Sequence, residues 1–255
     1  MHQLNRRRKS LKANLIVLLL GGSLLAMADG PGNADCKGLP SASDLRNFLV
    51  NSANANGVAK YGTVGGLFGG TRMWAAVVNS DGELCAFNTS TSDPRLVWPG
   101  SQAIAKSKAY TANAFSLDDF ALSTARLYTF TQPGHSLNSL GQSNLFDTRF
   151  LSTPAGEDGG KNQLTGGLIF FGGGVPIYRN GKIIGGIGVS GDTACADHEI
   201  AKRVRDLAGL NPAGGATADD IVYESSVFAH PVCLNTYKNG IKVGNEAPAS
   251  YPFVP

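Results

Sequence analysis

Residues 172–201 read GGGVPIYRNGKIIGGIGVSGDTACADHEIA. Two apolar runs in it flank Asn180-Gly181, a pair that favours a two-residue β-hairpin turn of type I′. The second run, Ile183 to Val189, carries glycines at 185, 186 and 188. Glycine weakens a strand, so three of them predict that a ligand or another backbone approaches closely. The run breaks at Ser190-Gly191 and leads into a helix predicted from about Asp197 to residue 208. Gly186, Gly188 and Gly191 also spell G-x-G-x-x-G. A dinucleotide fingerprint needs a βαβ unit and an acidic residue at the end of the following strand. Here the preceding strand turns back through a tight hairpin, and Asp219-Asp220 precede Ile221-Val222-Tyr223 instead of following them. The dinucleotide reading fails on both counts.

Upstream of the hairpin, Ser41 and Asp44 form a capping box for a helix with Leu45, Phe48 and Leu49 on its apolar face. Met73–Asn79, the turn Ser80-Asp81-Gly82 and Glu83–Phe87 read as an earlier hairpin. Ser101 is expected to cap a helix reaching Phe115, with small residues at 103, 105, 109 and 112 that let it lie close to a sheet or another chain. Ser116 and Asp119 suggest a second capping box and a helix over 117–129, with Phe120, Ala121, Leu127 and Tyr128 packing inward. Residues 131–167 are polar and longer than an ordinary loop, which marks them as functional or as an ordered lid. The tail after 210 shows one strand, 221–223, and is otherwise irregular. Hairpins and helices without βαβ order imply an α+β domain, an antiparallel sheet with helices on one face.

The first 28 residues read as a signal peptide: a basic run from Arg6 to Lys12, a short apolar core, and Ala26-Met27-Ala28 as the cleavage site. Arg7-Arg8 also approaches a twin-arginine signal, so both export routes stay open. The expected organisation is a signal at 1–28, a domain at 29–210 and a C-terminal extension at 211–255. The whole chain has 22 basic and 19 acidic residues, and five of the basic ones lie in the signal. The rest is slightly acidic, which gives no basis for nucleic acid or an anionic membrane as partner. The apolar core of the signal is too short and broken for a good membrane span. The expected location is the periplasm or the extracellular space.

Cysteines lie at 36, 85, 195 and 233. In an exported chain they most simply form two disulfides, with three pairings available. Cys36–Cys85 with Cys195–Cys233 is the preferred pairing, since it ties both ends of the mature chain to the domain centre. No C-x2-C spacing signals zinc.

The blocks GGGVPIYRNGKIIGGIGVSG, AIAKSKAYTANAF (103–115) and WAAVVNSDGELCAF together resemble the GlcG/HbpS-like haem-binding family, over about residues 41–209. PGHSLNSLGQSN, VSGDTACADHEIAKRVR and HPVC resemble its longer, exported branch. The resemblance implies a profilin-like fold, assembly into homo-oligomers, and binding of haem, or in relatives a corrinoid-linked role. Iron handling or redox sensing would follow. It also implies that Lys108, Thr111, Gly173, Gly174, Ser190 and Gly191 line the ligand pocket. The iron ligand differs between members of the family, and the long 131–167 segment argues against simple transfer of it.

Haem requires an apolar slot, partners for its propionates and an axial ligand such as His, Met or Tyr. His198 lies three residues after Cys195 and His230 three before Cys233, so pairing of these cysteines would bring both imidazoles into one neighbourhood. That arrangement serves a haem or metal site, or a structural knot around a disulfide. His135, in the long segment, reads as solvated. Lys108 could pair with a propionate. The N–H groups after Ser190 could hold a carboxylate. No catalytic constellation emerges: G-x-S-x-G is broken by Asp192, and Asp192 and Asp197 sit where helix caps are expected. The reading favours a haem-binding protein. A haem-degrading or redox enzyme on the same fold and an accessory protein for small carboxylates are the alternatives.

Overall fold

The computed structural model describes residues 35–53, 61–143 and 167–245. The signal at 1–28 and the segment 144–166 of the expected lid lie outside the described residues. The described residues belong to one unit, Pro31–Pro255. In that unit the order is α1 (Ala42–Ser52), β1 (Thr63–Gly65), β2 (Trp74–Asn79), β3 (Leu84–Thr89), α2 (Ser101–Ala114), α3 (Asn138–Ser143), β4 (Gly174–Arg179), β5 (Lys182–Ser190), α4 (Ala194–Leu207) and β6 (Thr236–Gly244). No helix among the described residues is long and apolar enough to cross a membrane.

The fold is α+β, centred on a four-stranded antiparallel sheet in the order β3-β2-β5-β4. Asn180 and Gly181 both have positive φ, 51° and 74°, as a type I′ turn requires. Helices cover both faces of the sheet, which corrects the one-face expectation. The reason lies in β2, WAAVVN, which is buried along its whole length. Trp74, Ala76 and Val78 pack with Ala105 and Ala109 of α2. Ala75 and Val77 point the other way, to Leu45 and Leu49 of α1 and Ile200 and Val204 of α4. A strand with both faces apolar needs a layer on each side.

The glycine strand serves this layering. A Cβ on Gly186 would collide with the Ala109 carbonyl oxygen, one on Gly188 with that of Ala105, and one on Gly174 with that of Lys108. What approaches β4 and β5 so closely is the backbone of α2.

Several local expectations change. α1 has its capping box on Ser41 and Asp44. α2 begins after Gly100 without a side-chain cap. Residues 117–129 do not form an α-helix. The Ser116 hydroxyl bonds both the N–H and the C=O of Leu122, and 3₁₀ turns follow at Thr124–Leu127 and Thr129–Thr131. α4 starts three residues early, capped by Thr193. In the tail, 221–223 contributes only a bridge from Val222 to Ala229, and the strand is β6, paired with β1. Inside β6, Asn239 and Gly240 take positive φ, 52° and 81°, and Gly240 is the residue facing Thr63. Cysteines pair as Cys36–Cys85 and Cys195–Cys233.

Candidate functional site

Just before β4 the chain runs as an irregular strip, Leu168 to Gly173, bent at 171–173, and buried side chains hold it. Thr111 on α2 donates its hydroxyl to Ser107 O at 2.7 Å and accepts the Ile169 N–H at 2.9 Å. Thr124 donates to Phe171 O at 2.7 Å and accepts the Gly174 N–H at 2.8 Å. His230 Nε2 accepts the Gly172 N–H at 3.2 Å. The Lys108 ammonium sits 4.8 Å from the Phe171 ring centroid.

Lys108 is fully buried and held within the fold. Its Nζ donates to Val189 O at 3.0 Å and to Asp197 Oδ2 at 2.7 Å. Burial pushes the Lys108 amine down from its usual range, and Asp197 partly offsets that. Burial likewise raises Asp197 from 3.8 to about 6, against the pull of Lys108. Gly173 lies against Lys108 and Asp197. Ser190 pairs with Trp74, and Gly191 packs on the backbone of Arg72 and Met73.

The amides at the start of α4 meet the chain's own carboxylates. Asp192 N–H donates to Asp197 Oδ1 at 2.9 Å, and Thr193 N–H to Asp192 Oδ1 at 2.7 Å. Asp192 in turn accepts the N–H groups of Leu67 and Phe68, at 2.6 and 2.8 Å. The two carboxylates therefore clasp loops together.

His198 and His230 are both buried and both flank Gly172, near the Cys195–Cys233 disulfide. His198 Nε2 accepts the Ile221 N–H at 3.1 Å. His230 Nδ1 donates to Pro231 O at 2.7 Å. Burial pushes the His230 imidazole down to about 4, so it is neutral at pH 7. His135 is exposed.

The opposite side of the strip opens on a cleft of about 420 Å³ lined by Leu168–Phe171, Tyr128, Thr131, Gln132, Gly141 and Gln142. That volume lies within the range of small-molecule sites. Tyr128 is half-buried, its ring centroid 5.1 Å from that of His230. Among the described residues its hydroxyl makes no hydrogen bond. The cleft thus combines an apolar floor, a phenol and an amide-bearing rim. Sequence reasoning misses it because the pattern places Tyr128 in the core of a helix that does not form. The signal that points to it is the apolar run Leu168-Ile169-Phe170-Phe171 directly before three glycines.

An antiparallel sheet between helical layers, with a cleft of small-molecule size beside the glycine turn, defines an α+β domain of two helical layers around one sheet. The sequence profile of the family described as "Haem degrading protein HbpS-like" matches residues 51–206, and the chain belongs to that family. A 39-residue stretch is 46% identical to an uncharacterised 15.0 kDa protein in the dhaT-dhaS intergenic region of Citrobacter freundii, covering 15% of this chain and 28% of that protein. Solved structures similar to the chain include a PduOC:heme complex (22% identity, 66% of this chain and 92% of the other, TM-score 0.44). Klebsiella pneumoniae protein ORFY is another (20%, 66% and 88%, 0.43). A third is a double mutant of HbpS from Streptomyces reticuli (17%, 79% and 98%, 0.40).

The donor set of the cleft fits a haem. Leu168, Ile169 and Phe171 offer apolar contact to a flat macrocycle, and Tyr128 offers an oxygen of a type that ligates ferric haem iron. Gln132 and Gln142 bring side-chain amides for its carboxylate edge.

Proposed function

We propose that this protein binds haem in the cleft beside the Leu168–Phe171 strip, with Tyr128 as the axial ligand. The observation that carries the reading is the half-buried Tyr128, which lines the cleft and whose hydroxyl has no partner among the described residues. Lys108, Thr111, Gly173, Gly174 and His230 then act as positioning residues that fix the slot's wall. Bound haem would supply a ferric centre for storage, transfer or redox chemistry. Export to the periplasm or extracellular space, homo-oligomeric assembly, and a role in haem or iron handling or redox sensing complete the proposal. They are supported by the basic and apolar start of the chain, the two disulfides and the family. The family's description favours a second reading, in which bound haem is degraded.

Titration of the purified protein with haemin tests this. The expected result is a saturable, shifted Soret band at about one haem per chain. Tyr128→Phe should shift the band and weaken binding about tenfold or more, the scale of losing one good polar contact in a buried site. A spectrum equal to free haemin plus protein would remove the haem reading. An unchanged spectrum in Tyr128→Phe would remove Tyr128 as ligand. Bleaching of the bound band by a reductant and O₂, with release of iron, would establish degradation.

A further inference from the structure

The Cys195–Cys233 disulfide does more than join two segments. Cys195 Sγ, Cys233 Sγ and a ring nitrogen of His230 all lie within 4.8 Å of one another. The disulfide lets the sulfurs approach far closer than metal-bound thiolates do, so the cluster is a closed form of a three-ligand set. We propose that reduction of Cys195–Cys233 opens a soft-metal site in which both thiolates and the His230 imidazole bind Zn²⁺ or Cu⁺. The site lies behind the wall of the haem cleft, with which it shares His230, and the proposal does not rest on haem binding.

Each ligand is already positioned by the fold. His230 and Cys233 come from one short segment, His230-Pro231-Val232-Cys233, whose two-residue gap allows both to reach a single ion. The third ligand, Cys195, is the second residue of α4. Thr236 anchors Cys233 by accepting its N–H at 2.8 Å and donating to its C=O at 2.7 Å. The Cys195 N–H, in the first turn of α4, donates to Cys233 Sγ at 3.2 Å. An amide aimed at sulfur, together with the positive end of a 14-residue helix, stabilises thiolate over thiol. Pro231 O lies close to all three groups. It accepts from His230 Nδ1, and the two sulfurs are 3.6 and 4.0 Å away. A carbonyl partner of this kind orients metal-bound imidazole. Binding exchanges one of the two His230 hydrogen bonds for a coordinate bond. Two sulfurs and one nitrogen select Zn²⁺ or Cu⁺ over harder ions and leave a fourth position open.

The opening step needs a dithiol reductant. Cys233 is half-buried while Cys195 is buried, so the reductant's thiolate attacks Cys233 Sγ. A mixed disulfide forms, the Cys195–Cys233 bond breaks, and its electron pair leaves on Cys195 at the helix start. The reductant's second thiolate then attacks its own sulfur in the mixed disulfide and frees Cys233. Two electrons pass to the protein, the dithiol becomes a disulfide, and metal binding releases to solvent any proton still on either thiol.

Anaerobic titration of the full chain with Co²⁺, before and after dithiol reduction and removal of the reductant, tests the proposal. The oxidised protein should show no cobalt–thiolate absorption. The reduced protein should bind one Co²⁺ with a sulfur-to-cobalt charge-transfer band and tetrahedral ligand-field bands, and Zn²⁺ should displace the cobalt. Cys36→Ser/Cys85→Ser should leave these bands in place. His230→Ala should weaken binding more than about tenfold and lower the ligand-field intensity. The proposal fails if the reduced protein binds no Co²⁺, or if the bands survive Cys195→Ser/Cys233→Ser. It also fails if His230→Ala leaves affinity and spectrum unchanged. That arm decides the matter even if the serine variants do not fold.

Discussion

Burial pushes the His230 imidazole down from 6.5 to about 4 and lifts the Asp197 carboxyl from 3.8 to about 6. The two groups therefore titrate across nearly the same pH window with opposite effects. Between about 4 and 6.5 the unfolded chain binds more protons at residue 230 than the folded chain does. That contribution to stability is present at neutral pH and is lost as pH falls, and the shift corresponds to roughly 3 kcal/mol. At residue 197 the folded state binds more protons between 3.8 and about 6, so its contribution grows as pH falls. His230→Gln should flatten the loss of stability on acidification from pH 6.5 to about 4. Asp197→Asn should steepen it. Urea unfolding at several pH values across the window measures both slopes, and equal slopes in both variants would show that neither group carries the linkage.

At the scale of elements, the strand glycines decide how close α2 lies to the sheet. Gly188 has no positive-φ requirement, and its nearest constraint is the Ala105 carbonyl against it. Gly188→Ala should therefore act by overpacking, lifting α2 and lowering stability by about 3 kcal/mol. Gly181 is the reverse case, with open space around it and φ at 74°. Gly181→Ala should cost only about 1 kcal/mol, the cost of the left-handed conformation. Thermal melts of the two variants distinguish packing from turn geometry, and similar losses would contradict the layered reading. The hairpin, the capped α1 and the close approach at the glycines are readable in sequence because each depends on neighbouring residues. Whether ligand or helix fills the glycine groove is not, since that depends on residues some 80 positions away. The same limit applies to the cleft: Lys108, Thr111 and His230 stand behind its wall, while Tyr128 reaches it through 3₁₀ turns set by tertiary contacts of Ser123 and Thr124.

For the molecule as a whole, the family match ends at residue 206, but two buried charges of α4, Lys202 and Arg205, find partners beyond it. The fully buried Arg205 guanidinium pairs with Asp219 at 2.6 and 3.0 Å and donates to Ala216 O at 2.9 Å. Lys202 reaches Asp220 at 2.6 Å and Asn239 at 3.0 Å. The Ser123 and Thr129 hydroxyls donate to Asp219 O and Ala229 O. These contacts make residues 211–245 a structural layer. The tail's scarcity of periodic apolar residues gives no hint of that, because polar pairing, not an apolar face, attaches it. Removing the partner of a buried charge costs about 3–5 kcal/mol, and a domain of this kind has only about 5–15 kcal/mol in total. Truncation after Leu210 strips partners from Arg205 and Lys202 together and breaks the Cys195–Cys233 bridge. The truncated chain should lack a cooperative thermal transition and accumulate as insoluble protein. Arg205→Met/Asp219→Leu in the full chain, which removes both charges of one pair, should remain folded, because apolar groups of similar volume leave no unpaired ion. Circular dichroism melts of the two proteins provide the comparison. A cooperative transition in the truncated chain would mean that the tail is an accessory and that the sheet and its three long helices stand alone.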